Sequence, residues 1–258
     1  MNVVFADQVF LLARRSVFRT IRQPANVIAP LIFPMMLLAV NSGGLGAETR
    51  LPGFPTDSMV AFLLCVPFIQ GALFATMNAG TDLARDIQTG FLNRLSLTPM
   101  RGVALLAGQL GGVVTLGLVQ AAFYLAVGLA VGVRLASGVP GVLVLFAFAF
   151  LVSLGFGALG TFVGLRTGSG EAVQGFFPMF FVFLFISSMA IPRNLISITW
   201  FRDVATANPV SYLIEGVRSL VVVGWDAEAL ALGFGIAIAI AVVGLSLSSR
   251  ALKVRMAR

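Results

Sequence analysis

Two polar stretches interrupt an apolar chain, and their side chains are the ones placed to do chemistry. The first is "DLARDIQTGFLNRLSLTPMRG", Asp82 to Gly102. It opens on charges, passes Gly90, and then shows Phe91, Leu92, Leu95 and Leu97 before Thr98 and Pro99 close it. The second is "FRDVATANPVSYLIEGVRSLVVVGWD", Phe201 to Asp226, with Arg202, Asp203, Asn208, Glu215, Arg218 and Asp226. These residue types offer ion pairing, hydrogen bonding and docking, and no bond-making constellation. The chain has no histidine, which removes zinc-hydrolase motifs and a Ser–His relay. Its single cysteine, Cys65, lies in an apolar run and can form neither an internal disulfide nor a metal framework. There is no G-x-x-x-x-G-K-[ST] phosphate loop, so ATP is not gripped in that manner by this chain. The interiors of the apolar spans carry no carboxylate, and Asp82 lies only at a span end, which counts against a proton relay.

The elements that must position these groups are membrane helices. Of 258 residues 59% are hydrophobic and only 10% charged, against about 25% charged in a soluble domain. Mean hydropathy is +1.00. The apolar runs are long and continuous, unlike the alternating ten-residue strands of a barrel. A span needs about 20 apolar residues. Six runs qualify, at about 25–44, 58–81, 104–131, 141–163, 173–192 and 228–249. With the N-terminus placed in the cytoplasm, the inner segments hold 12 of the 17 basic residues and the outer ones five, Arg50, Arg134, Arg193, Arg202 and Arg218. The positive-inside rule therefore expects both termini in the cytoplasm, in agreement with an even number of spans. The net charge of +7 reads as this orientation signal, with no nucleic-acid partner expected.

Residues 5–23 read as an amphipathic helix on the inner interface. Val9, Leu12, Phe18 and Ile21 recur at roughly helical spacing, and Arg14, Arg15, Arg19 and Arg22 stand beside them to meet anionic headgroups. No apolar core precedes a small-residue cleavage site in this region, so a cleaved signal is not expected. Pro24 turns the chain into the first span. GxxxG pairs at Gly108/Gly112, Gly128/Gly132 and Gly160/Gly164 allow close helix approach, read as packing within the chain ahead of dimer contacts. No soluble domain or long linker is visible, and 1–258 reads as one membrane domain.

On two sets of residues the sequence resembles the ABC-2 permeases, the transmembrane subunits of type-2 ATP-binding-cassette exporters, and within them the daunorubicin-resistance branch. Arg85, Asp86, Gly90, Arg94, Leu95, Thr98 and Pro99 match that family's charged-Gly-"R-L-x-x-T-P" pattern after span two. Gln88 and Asn93 depart from it, standing where acidic residues are common. Pro192, Trp200, Asn208, Pro209, Tyr212, Glu215 and Arg218 match its "N-P-x-x-Y" and "E-x-x-R" segment before the last span.

The resemblance implies an all-α fold of six transmembrane helices, an interfacial N-terminal helix, and short re-entrant outer-leaflet helices between spans five and six. It implies that Arg85 to Pro99, Phe91 and Leu92 included, couples to a separate ATP-binding cassette subunit carrying ATP and Mg, with no cofactor on this chain and no catalytic residue. It implies a second permease protomer, identical or a sister chain, in a bacterial inner membrane; arginine supplies all the basic residues but Lys253, which fits a GC-rich genome. Asn208 is a good N-cap and Pro209 a good first helical residue, and Glu215 and Arg218, three apart, could pair along one face of an exit-gate helix. Spans two and five would face the path. Phe177 and Phe181 there suit apolar cargo or pack in the bundle; Gln70 and Asn78 line the path or hydrogen-bond neighbouring helices. Export of drugs, natural products or lipids is the reading this implies, with export of glycan, or an ATPase-independent channel or secondary transporter, as alternatives. If the Asp82–Gly102 loop is a docking element, Leu92→Asp or Leu95→Asp is expected to release the ATPase in a pulldown without unfolding the spans.

Overall fold

The computed structural model describes residues 2–96 and 102–256, so Leu97, Thr98 and Pro99 lie outside the described residues. The described chain is helical. It runs through α1 (Asn2–Ile21), α2 (Pro24–Gly44), α3 (Met59–Leu63), α4 (Cys65–Gln88), α5 (Phe91–Ser96), α6 (Gly102–Ala130), α7 (Gly138–Thr167), α8 (Gly170–Phe185), α9 (Thr199–Ala207), α10 (Pro209–Arg218) and α11 (Ala227–Met256). Among the described residues five helical segments are long and apolar enough to cross a membrane: Pro24–Gly44, Met59–Gln88, Gly102–Ala130, Gly138–Thr167 and Ala227–Met256. The expected fifth span, 173–192, is helical only as α8. Its 16 residues reach about 24 Å at 1.5 Å per residue, short of a bilayer core of about 30 Å.

Helix α4 is the hub. It is buried along most of its length, with α2, α6, α7, α8 and α10 packed around it. The α4–α7 crossing is made by absent side chains. A Cβ on Gly160 would fall on the Thr76 carbonyl, and one on Gly80 would stand 2.6 Å from the Gly160 carbonyl oxygen. On the other side of α7, a Cβ on Gly155 would come within 2.9 Å of the Ala241 nitrogen in α11. Gly108 and Gly112 of α6 sit against Leu12 and Ser16 of α1. These glycines therefore pack within the chain, as small residues do where lipid supplies no hydrophobic drive.

Prolines in α2 explain two buried polar groups. A proline has no N–H and leaves the carbonyl four residues back without its helical donor. Pro30 thus frees Asn26 O, which accepts from Asn78 Nδ2 at 3.2 Å. Pro34 frees Pro30 O, which accepts from the Tyr124 hydroxyl.

Helix α1 lies along α6 and is amphipathic in an unexpected sense. Ser16 and Thr20 face inward, while Phe10, Leu11, Phe18 and Ile21 are exposed. α1 and α11 both pack on the first part of α6: Leu12 touches Gly108, and Gly102 faces Leu252 and Met256. The start and the end of the chain therefore share one end of the bundle. Overpacking a tight site costs about 1–3 kcal/mol. Gly160→Ala is accordingly expected to lower the unfolding midpoint in detergent, whereas Gly175→Ala, with open space around its Cβ, should leave it unchanged or slightly raised.

Candidate functional site

The shared end of the bundle is built by two i, i+4 registers. α4 runs seven residues beyond its expected end and places Asp82 and Asp86 one turn apart on the face that meets α1. Arg15 and Arg19 stand one turn apart on α1. Arg15 grips Asp86 through two bonds of 3.1 and 2.9 Å. Arg19 reaches Asp86 at 2.9 Å and the Asp82 carboxylate at 3.2 Å. Both aspartates are buried, and their pairing is what allows α4 to continue as a helix here. The turn after α4 uses Gly90 at φ +71°, in the left-handed region that glycine enters without a Cβ penalty. α5 then begins at Phe91, whose ring lies 3.8 Å from the Arg15 guanidinium carbon. Helix α1, the end of α4 and α5 are thereby one bonded unit.

This geometry revises several expectations. Asp86 is turned inward to α1 and forms a link inside the protomer. Leu92 is 3% exposed and packs with Leu83, Leu105, Leu110 and Leu252, so Leu92→Asp would damage the protomer's own core. Leu95 is half-buried at the edge of the same cluster. Arg85 and Arg94 are the exposed charged positions of the segment. Of the four arginines on α1 and in the turn after it, Arg15 and Arg19 are committed to the aspartates, and Arg14 and Arg22 are exposed. The sequence held the signal in the matched Asp82/Asp86 and Arg15/Arg19 spacings, but nothing in it says which face of α1 meets α4.

The other polar stretch closes around the end of α8. The carboxamide oxygen of Asn208 caps α10 by accepting from Val210 N at 2.9 Å, with Pro209 at the first helical position as expected. Its amide nitrogen donates to the α8-terminal carbonyls of Phe183 and Ile186. Ser211 Oγ accepts from Ser188 N at 3.1 Å. Arg218, 5% exposed, donates to Ser188 O and Met189 O at 3.0 Å and to Phe62 O at 3.4 Å, with its guanidinium 3.7 Å from the Phe62 ring centroid. The polar residues of α10 thus satisfy the backbone left open where α8 stops.

Glu215 and Arg218 do not pair. Glu215 is held by Arg193 at 2.8 and 2.6 Å, and Arg193 also lies 4.4 Å from the Tyr212 ring centroid. Burial opposes the Arg193 charge, but the Glu215 carboxylate and the Tyr212 side chain outweigh it and hold its pKa above the usual arginine value. Tyr212 itself donates to Thr206 O at 2.8 Å, tying α10 to α9. Arg193, the true partner of Glu215, was not singled out from sequence because the two are 22 residues apart across an irregular link.

The residues expected along a path divide in two. Phe177 and Phe181 of α8 are half-buried and form an aromatic cluster with Phe33 and Phe74, with ring centroids 4.9 to 6.1 Å apart. Gln70 and Asn78 are enclosed within the protomer, 1% and 7% exposed. Asn78 serves the α2 carbonyl described above, and neither residue lines an open path in this protomer.

A helical chain with five membrane-length segments, polar side chains spent on backbone groups, and a bonded charged end is a multi-pass membrane protein of permease type. The family model of the ABC-2 type transporter matches residues 7–222, and the chain belongs to that family. It is 31% identical over 201 residues to the daunorubicin resistance ABC transporter permease protein DrrB1 of Streptomyces coeruleorubidus, covering 76% of this chain and 66%, just under two thirds, of that protein. It is 24% identical over 223 residues to a Mycobacterium tuberculosis protein described as "Probable doxorubicin resistance ABC transporter permease protein DrrC", covering 86% of this chain and 79% of that one.

Breaking a buried ion pair from one side strands its partner, and contacting residues show coupling energies of about 1–3 kcal/mol. In a thermal-unfolding cycle of Asp86→Asn and Arg19→Gln, the double variant is expected to be less destabilised than the sum of the two single variants by an amount in that range.

Proposed function

We propose that this chain is the membrane-spanning subunit of an ATP-driven exporter of hydrophobic drugs, natural products or lipids, powered by a separate ATP-binding cassette subunit that carries ATP and Mg. Two copies of the permease, or this chain and a sister chain, enclose the path. Both chain termini lie in the cytoplasm with the charged end of the bundle, and α9 and α10 dip into the outer leaflet as an exit gate. Family membership and the drug-resistance names of the relatives support the class.

The observation that carries the mechanism is the bonded unit of α1, α4 and α5. An ATPase pushing on the exposed Arg85 and Arg94 side of this unit cannot move α5 without moving α1, because Arg15 and Arg19 hold Asp82 and Asp86. α4 carries the displacement through the bilayer, since it is the helix on which α2, α7, α8 and α10 pack. At the far end, Arg218 joins α10 to the Phe62 carbonyl just before α4 and to the link after α8. A shift of α4 therefore reaches the outer segment directly. Arg14 and Arg22, together with exposed Phe18 and Ile21, keep α1 on the inner interface of the membrane. The aromatic cluster of Phe33, Phe74, Phe177 and Phe181 favours apolar or amphipathic cargo over glycan.

Co-expression with the genomic neighbours and purification in mild detergent tests this reading. An ATP-binding subunit should co-purify in equal amount, with a hydrolysis rate that changes in the presence of the permease. Arg94→Glu should weaken that capture while leaving the permease's unfolding midpoint unchanged. A chain that purifies alone, from a neighbourhood encoding no ATPase, would return the choice to a channel or ion-driven carrier.

A further inference from the structure

A pocket of about 490 Å³ opens between α9, α10 and the start of α11. Five charged side chains line it: Arg193, Arg202, Arg218, Glu215 and Asp226. Both carboxylates are already engaged. Glu215 gives both oxygens to Arg193. Asp226 accepts from the Glu228 and Ala229 backbone N–H groups at 3.1 Å, capping α11. The guanidinium of Arg202 is exposed on α9, and no carboxylate pairs with it among the described residues.

Arg218 is the second uncompensated charge. It is 5% exposed, and its four hydrogen bonds all go to backbone carbonyls. The Phe62 ring lies 3.7 Å from its guanidinium, but no carboxylate pairs with it among the described residues, so the buried charge has no counter-charge. Beside it the chain leaves α-helical geometry for a π turn, Ser219–Val223, which places Ser219 and Val223 on the pocket wall. Such turns often occur at functional sites. Pro55, Pro192 and Val223 supply an apolar wall next to the charges.

We propose that this pocket binds the anionic headgroup of a phosphate-bearing amphiphile, with Arg202 at the mouth and Arg218 at the base. The planar guanidinium fork matches a phosphate better than a point charge does, and the apolar wall takes the first carbons of the tail. The site depends on the exporter reading only for the leaflet that supplies the ligand.

The full-length protein in non-ionic detergent is titrated with phosphatidylglycerol, phosphatidylcholine and inorganic phosphate, and bound lipid is counted by native mass spectrometry. Every sample carries Arg14→Gln and Arg22→Gln, which removes the exposed arginines of α1 and the turn after it. Phosphatidylglycerol is expected to bind at least tenfold more tightly than phosphatidylcholine, and Arg202→Gln to weaken it about tenfold, the size of one charge-assisted bond. Retention of phosphatidylglycerol unchanged by Arg202→Gln, or no preference over phosphatidylcholine, overturns the site. Inorganic phosphate binding as tightly as phosphatidylglycerol overturns the assignment to an amphiphile. The leaflet is read separately with Arg202→Cys and a membrane-impermeant maleimide on whole cells, where Cys65, fully buried, does not compete. Labelling from outside supports an outer-leaflet ligand; labelling only after lysis overturns the orientation and leaves the binding result standing.

Discussion

In hydrocarbon a backbone carbonyl without a donor has no water to turn to, and each such group costs several kcal/mol. Much of the polar chemistry in this chain answers that constraint. Two prolines in α2 each open a carbonyl, and Asn78 and Tyr124 close them from α4 and α6. α8 ends at Phe185, and Asn208, Ser211 and Arg218 serve the groups exposed there. The π turn after α10 is closed by the backbone N–H and the hydroxyl of Ser137, both donated to Leu220 O. Each of these bonds joins two segments distant in sequence, so satisfying the backbone also fixes how the helices pack.

This gives Arg218 its place. A buried arginine is costly alone, but the link after α8 offers it the Ser188 and Met189 carbonyls. The Phe62 ring adds a cation–π contact on the other side. The irregular link after α8 and the segment before α4 are thus gathered on one side chain. A segment held this way can move as a unit and keep its backbone bonded.

The opposite end uses paired charge for the same purpose. Asp82 and Asp86 let α4 extend past the apolar run because α1 brings two arginines to them. Between the two ends, glycine-lined crossings bring α4 and α7 into backbone contact. Such a contact leaves little slack, so displacement at one end of α4 is carried to the other and not absorbed by side chains.

Composition and run length determined the membrane-spanning, all-helical class, the approximate spans and the skew of positive charge, because burial in lipid demands long apolar runs and leaves charge only at their ends. The Asn208–Pro209 helix start was legible too, since capping is decided by neighbouring residues. The glycine pairs at Gly108/Gly112 and Gly160/Gly164 were correctly read as packing within the chain, whereas Gly132 has open space around it. Tertiary structure decided the rest. It gave Glu215 to Arg193 instead of Arg218, turned Asp86 and Leu92 inward, committed Arg15 and Arg19 to aspartates, and spent Asn78 on an α2 carbonyl. The stop of α8 at Phe185 was hidden as well, because Ser187 and Ser188 are too mild to break an apolar run and the bonds that replace its helix come from α10. Local sequence sets what a side chain can bond; which group it meets depends on helix rotation and crossing, and those are fixed only when all the helices pack together.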